Sequence, residues 1–470
     1  MTDLVIRNAE VDGVAGIDVS ISDGRIVAVG PDLPATTADV IDAEGGALIP
    51  GLHDHHLHLH AMAADAASVP CGPPGVRDAA ALADALGRAP GDDHGWVRGV
   101  GYIETVAGDL DADALDRLHA ARPVRVQHRS GAMWMLNGAA SAAVRLAEAA
   151  HPGIERAPDG RPTGRVWRAD DWLRDRLPPS GPPRLDAVGA ALSRWGITGV
   201  TDASPDLDPR SRAAIETSVS DGSLPQRVHL LGAAPDSSTA SPQGRVTVGP
   251  YKIVLADSGL PDLDDLADRI RDVHDRGRAV AVHCVTRESL LLLLAVLDDV
   301  GTRSGDRIEH GALIPSETID DLRRRGLTIV TQPGFLAHRG DDYLREVDEI
   351  DHPDLYRCRS LIAAGVPVAL SSDAPYGSPD PWAVIAAAVN RRAPTGEVVG
   401  VSERITAAEA LTRYLTPAAD PGGRPRTVRA GADADLVLLH APLREVLTAP
   451  SADAVRATLF GGTPRPIRVN

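Results

Sequence analysis

The feature that most constrains this chain is the alternation of short apolar runs with amphipathic segments through its middle. Strands are predicted at "VRVQH" (124–128), "GVTDA" (199–203), "RVHLLG" (227–232), "YKIVLAD" (251–257), "AVAVHC" (279–284), "DRIEHG" (306–311), "TIVTQP" (328–333) and "VPVALSSD" (366–373). Helical stretches at 263–277, 316–326 and 356–365 separate the later ones, each ending in Gly as a helix C-cap should. Nearly continuous apolar strands between helices indicate a parallel sheet covered on both faces. About eight such units predict a closed (β/α)8 TIM-like barrel rather than an open sheet.

Both chain ends read as β-rich. Ile17, Val19 and Ile21 alternate with Asp18, Ser20 and Ser22, and "DG" at 23–24 turns into "RIVAVG", a hairpin signal. Near the other end "ADADLVLLH" (432–440) and "AVRATLFGG" (454–462) are strand-like. Residues 61–180, with "PCGPPG", "APDGRPTG" and "LPPSGPPR", are too long for a plain loop and are expected to carry their own helices and a hairpin.

A net charge of −17 argues against nucleic acid or an anionic membrane as partner. The most apolar run, 290–297, is far short of the ~20 residues a bilayer requires. No leader pattern opens the chain, and the three cysteines, 71, 284 and 358, are scattered, as in a reducing compartment. The expectation is a cytoplasmic enzyme.

In a barrel, functional side chains gather at the C-terminal ends of strands. His58, Lys252, His283, His310 and Asp373 all fall at or near predicted strand ends. "GLHDHHLHLH" (51–60) adds a choice of H-x-H pairs: His53/His55, His56/His58 or His58/His60. On a strand such a pair aims two imidazoles at one point. His53/His55 lies too close to the "PG" turn at 50–51 and His60 begins the loop, so His56/His58 is the expected metal-binding pair. Lys252 is the one lysine among 48 basic residues.

"IPGLHDHHLHL" resembles the "PGxxDxHxH" strand of the metal-dependent amidohydrolase superfamily. The resemblance continues in order through Lys252 in "YKIVLAD", His283 in "VAVHC", His310 in "RIEHG" and Asp373 in "ALSSDAP". "SGAMWMLN" and "DGRPTGRVW" look like the long-insertion subgroup that includes the N-substituted formamide deformylases. The resemblance implies a small β-sandwich made from residues 1–50 and 418–470 around a metal-binding barrel of residues 51–417. It also implies two divalent ions, zinc being the expected metal. His56, His58 and Asp373 would hold the first, His283 and His310 the second, with a carbamate on Lys252 bridging them. Carboxylation needs a neutral amine, which a buried Lys can supply and an Arg cannot.

The implied reaction is cleavage of a non-peptide C–N bond, amide or cyclic amide, of a small molecule. A metal-bridging hydroxide would attack the carbonyl, with Asp373 as general acid/base. His128 is a further catalytic candidate, and Arg129, Arg287, Tyr102 and Gln332 are candidate substrate contacts. A homodimer is one assembly allowed. Three departures from the subgroup touch the substrate side: "CVTRES" follows His283, the acidic residue after Lys252 comes one position late at Asp257, and "SGA" replaces an expected histidine motif. The alternatives are a mononuclear deaminase on the same barrel, disfavoured by Lys252 and by Thr286 standing where a Glu is expected, and an ester or lactone hydrolase using the same two metals.

Overall fold

The computed structural model describes residues 4–35, 38–179, 181–237, 244–255 and 259–466. It divides into two compact units, residues 1–60 with 184–470, and residues 61–183.

In the first unit the chain ends build two four-stranded sheets. One orders Arg25–Gly30, Val14–Ser22, Leu4–Val11 and Asp39–Asp42; the other orders Thr463–Pro466, Val455–Phe460, Leu436–Leu439 and Leu48–Pro50. Their inward residues, including Ile6, Val19, Leu48, Leu436 and Leu459, share one apolar cluster. Alternation puts these side chains on one face of each sheet.

The rest of the unit is parallel α/β. One sheet orders Leu52–Leu57, Ile197–Asp202, Arg227–Leu230 and Val246–Val248; a second orders Tyr251–Val254, Val280–Cys284, Arg307–His310, Thr328–Thr331 and Val368–Leu370. All these pairings are parallel. Backbone bonds join the sheets: Lys252 N donates to Leu231 O (3.1 Å), and His58 N to Ala374 O (2.9 Å). Helices Leu263–Asp275 and Arg287–Val300 bury Ile270, Leu293 and Leu297 against Ile253, Val282 and Ile308. Gly326 and Gly365 close their helices in the left-handed conformation (φ +66° and +81°), which only glycine adopts without a Cβ penalty.

The 61–183 unit holds a six-stranded mixed sheet, and here one expectation is corrected. Val124–His128 is a strand of this sheet, parallel to Val97–Tyr102 and antiparallel to Met133–Leu136, and not one of the parallel series of the first unit. Its V-R-V-Q-H alternation leaves one face polar, whereas Ile197–Asp202 of the parallel series is buried on both.

Candidate metal centre

His56 lies inside the Leu52–Leu57 strand and His58 one residue past it. His283 is the penultimate residue of Val280–Cys284, and His310 ends Arg307–His310. Asp373 follows Val368–Leu370 by three residues, where its N–H donates to His56 O (2.8 Å). His310 and Asp373 both leave their strands with φ in the left-handed region (+70° and +55°).

These side chains converge. His58 Nε2 is 3.1 Å from Asp373 Oδ1, and His56 Nε2 is 3.3 Å from the same oxygen, outside hydrogen-bond geometry. The His56 ring centroid is 4.7 Å from that of His310, which is 4.4 Å from that of His283. Donor atoms of His56, His310 and Asp373 all lie within 4.8 Å of one another, an arrangement that could hold a metal ion. The buried His56 Nε2, without a hydrogen-bond partner among the described residues, fits a ligand atom.

Both rings are tied down through Nδ1. His56 Nδ1 donates to Glu309 Oε2, and Arg307 Nε donates to Glu309 Oε1 while Arg307 Nη2 reaches His55 O (2.9 Å). His310 Nδ1 donates to Gln332 Oε1 (3.0 Å), whose amide is oriented by its own bond to Ser371 Oγ (2.9 Å). The bond to Glu309 leaves His56 Nε2 with its lone pair toward Asp373, while His310 Nδ1, bonded to Gln332, lies 3.9 Å from Asp373 Oδ2. Ionisation follows the burial. The amine of Lys252 is pushed down to about 8 by burial, against the pull of Glu309 and Asp373. Burial, then Lys252, lowers His283 to about 3. For Asp373, burial opposes ionisation, but His310, His56 and His58 hold the carboxyl well below its usual range.

The other candidates divide. Gln332, read as a substrate contact, is bonded to His310. Arg287 pairs with Asp351. In the 61–183 unit Tyr102 is fully buried and its hydroxyl donates to Gly108 O. His128 bonds Ser130 Oγ through Nδ1 (2.7 Å) and Glu104 through Nε2 (3.3 Å), and the Arg129 N–H donates to Tyr102 O. His53 and His55 bond the hydroxyls of Thr201 and Thr416 (2.9 Å each). "CVTRES" starts a helix: Thr286 accepts from Ser289 N, and Ser289 Oγ from Thr286 N (3.1 Å each). Asp257 lies outside the described residues. Glu309 and Arg307 were not foreseen; their i, i+2 spacing beside His310 was the available signal.

Residues 39–465 match the amidohydrolase family, and the chain belongs to it. It is an amidohydrolase enzyme, with a TIM-barrel-like α/β fold. Among its relatives, the N-substituted formamide deformylase of Arthrobacter pascens is 25% identical over 516 residues, covering 93% of each chain. Among solved structures it is similar to an uncharacterized metal-dependent hydrolase from Pyrococcus horikoshii OT3 (TM-score 0.75, 17% identity, 99% of this chain and 100% of that one). A second, from Pyrococcus furiosus, aligns at TM-score 0.71 and 19% identity over 92% and 98% of the two chains. No described helix is long and apolar enough to cross a membrane.

Proposed function

We propose that this enzyme is a binuclear metal-dependent hydrolase of a non-peptide C–N bond in a small molecule, an N-substituted amide or cyclic amide. The carrying observation is the convergence of His56, His310 and Asp373 donor atoms, with His58, His283 and the lone lysine beside them. His56, His58 and Asp373 would hold one ion and His283 and His310 the other, with Lys252 as a carbamate between them; zinc suits this nitrogen and oxygen donor set. Such ions, when bound, acidify water and polarise a carbonyl. Asp373, kept ionised, takes the proton of the attacking water on a carboxylate oxygen and returns it to the leaving nitrogen. Glu309 holds the His56 imidazole in the tautomer that leaves Nε2 to ligate, and Gln332 anchors the His310 ring. The relative's activity on N-substituted formamides favours an amide over an ester.

The parallel strands of the two sheets form one closed barrel in this reading, supported by the bonds Lys252 to Leu231 and His58 to Ala374 across the two sheets. The shared apolar cluster of the terminal sheets supports a composite β-sandwich. Three buried free thiols suit a cytoplasmic location.

The test is hydrolysis by zinc-loaded protein of N-substituted formamides, cyclic amides and lactones in parallel. Release of amine from the first or ring opening of the second is expected; turnover of lactones alone contradicts the C–N assignment.

A further inference from the structure

Asp54 stands two residues before His56 in the Leu52–Leu57 strand and is buried. The chemistry proposed above makes no use of it. On the neighbouring strand Val200 lies opposite Asp54 and Asp202 opposite Leu57, so the first strand carries one extra residue between them, a β-bulge. The bulge falls between two histidine pairs that a regular strand would send to opposite faces. The rings of His53 and His55 lie 4.6 Å apart, and those of His56 and His58 5.4 Å apart. Asp54 itself spans the bulge: its Oδ1 accepts from the His56 N–H (3.1 Å).

The same oxygen accepts from the Ser372 N–H (3.2 Å), and its two lone pairs serve both donors. Three consecutive residues beyond Val368–Leu370 are thereby fixed to alternate residues of the first strand. Ser372 N–H is held by Asp54 Oδ1, Asp373 N–H by His56 O (2.8 Å), and Ala374 O by His58 N–H (2.9 Å). The last two rungs join backbone to backbone; the first uses a carboxylate. Asp373 lies in the middle of this ladder with φ at +55°. A non-glycine residue keeps that conformation when its surroundings over-determine it.

We propose that Asp54 is a positioning residue of the metal centre. One carboxylate oxygen, bonded to the peptide groups of both ligand-bearing segments, fixes His56 Nε2 against Asp373 Oδ1, 3.3 Å away. The assignment rests on the metal-dependent hydrolase reading above. Bulges beside functional sites re-aim side chains, and groups that orient ligands are worth roughly 10- to 100-fold in metal affinity. A carboxylate that only stabilised the fold would behave differently. Its loss would lower Tm and leave the metal site of the folded protein as it was.

The experiment compares wild type, Asp54→Asn and Asp54→Ala, each stripped of metal and reloaded below the Tm of all three apoproteins. It reads the apoprotein Tm, zinc affinity by chelator competition, and the visible absorption bands at saturating cobalt(II). Asp54→Ala should bind zinc roughly 10- to 100-fold more weakly and show altered cobalt bands. Asp54→Asn keeps an acceptor, about half as strong when neutral, and should stay within about fivefold of wild type with wild-type bands. If Asp54→Ala does not fold, Asp54→Leu, branched like aspartate, takes its place in the same comparison. A lower Tm with unchanged zinc affinity and cobalt bands overturns the positioning role, and so do equal losses of affinity in the two variants. A wild type that binds zinc but hydrolyses no amide fails the hydrolase reading, while the affinities still decide the role of Asp54. A wild type that binds no metal overturns both.

Discussion

Glu309 holds the Nδ1 edge of His56, so that the Nε2 edge faces Asp373 Oδ1 across 3.3 Å. Both members of the bond are buried, and burial, which by itself would raise the Glu309 carboxyl, is outweighed by Arg307 and His56, which keep it well below its usual range. Glu309→Gln keeps an acceptor for His56 but weakens its orientation, and zinc affinity should fall by roughly 10- to 100-fold with the fold intact. Glu309→Ala also leaves Arg307 buried without its carboxylate, and should cost about 3–5 kcal/mol of stability. Zinc titration and urea unfolding of the two variants separate the effects.

His53 and His55 stand in the same strand as His56, yet each is bonded to a threonine hydroxyl from another part of the unit, Thr201 and Thr416. His53→Ala and His55→Ala should leave zinc per chain unchanged. His53→Ala leaves the buried Thr201 hydroxyl without its partner and should lower stability by about 1–3 kcal/mol, whereas Thr416 keeps its bonds to Gly422 N and Arg413 O and His55→Ala should cost less. Loss of zinc in either, measured by elemental analysis, would assign the ligand pair wrongly.

His229 gives the stability a pH dependence. It is buried, bonded to Thr247 Oγ1 (2.7 Å), and burial lowers it to about 3. Its folded value lies below the unfolded one, so the unfolded chain binds the proton first as pH falls. The stability it contributes is present above about pH 6.5 and lost at up to ~1.4 kcal/mol per pH unit on descent toward 3. His229→Gln should flatten the slope of unfolding free energy between pH 6.5 and 4.5 by that amount. An unchanged slope would mean that His229 does not titrate on unfolding.

The parts of the site visible in the sequence were those that depend on local pattern. Apolar runs placed the ends of Val280–Cys284 and Arg307–His310 within a residue or two, and hence His283 and His310. The Pro50–Gly51 turn does not keep His53 and His55 off the strand, which begins at Leu52 and contains both; their bonds to Thr201 and Thr416 set them apart from His56. What stayed hidden depends on contacts between distant segments. Glu309 meets His56 across 253 residues, and Thr416 meets His55 across 361. The two valines of Val124–His128 read as a core strand of the parallel series, although its alternating polar residues mark a sheet with one wet face.

The measurement that bears most directly on the account is metal per chain, by elemental mass spectrometry, for wild type and Lys252→Arg purified without chelator. Two ions are expected in the wild type. Lys252→Arg should hold fewer ions and show no turnover, because a guanidinium cannot form the carbamate. Two ions and full turnover in Lys252→Arg, or a single ion in an active wild type, would contradict it.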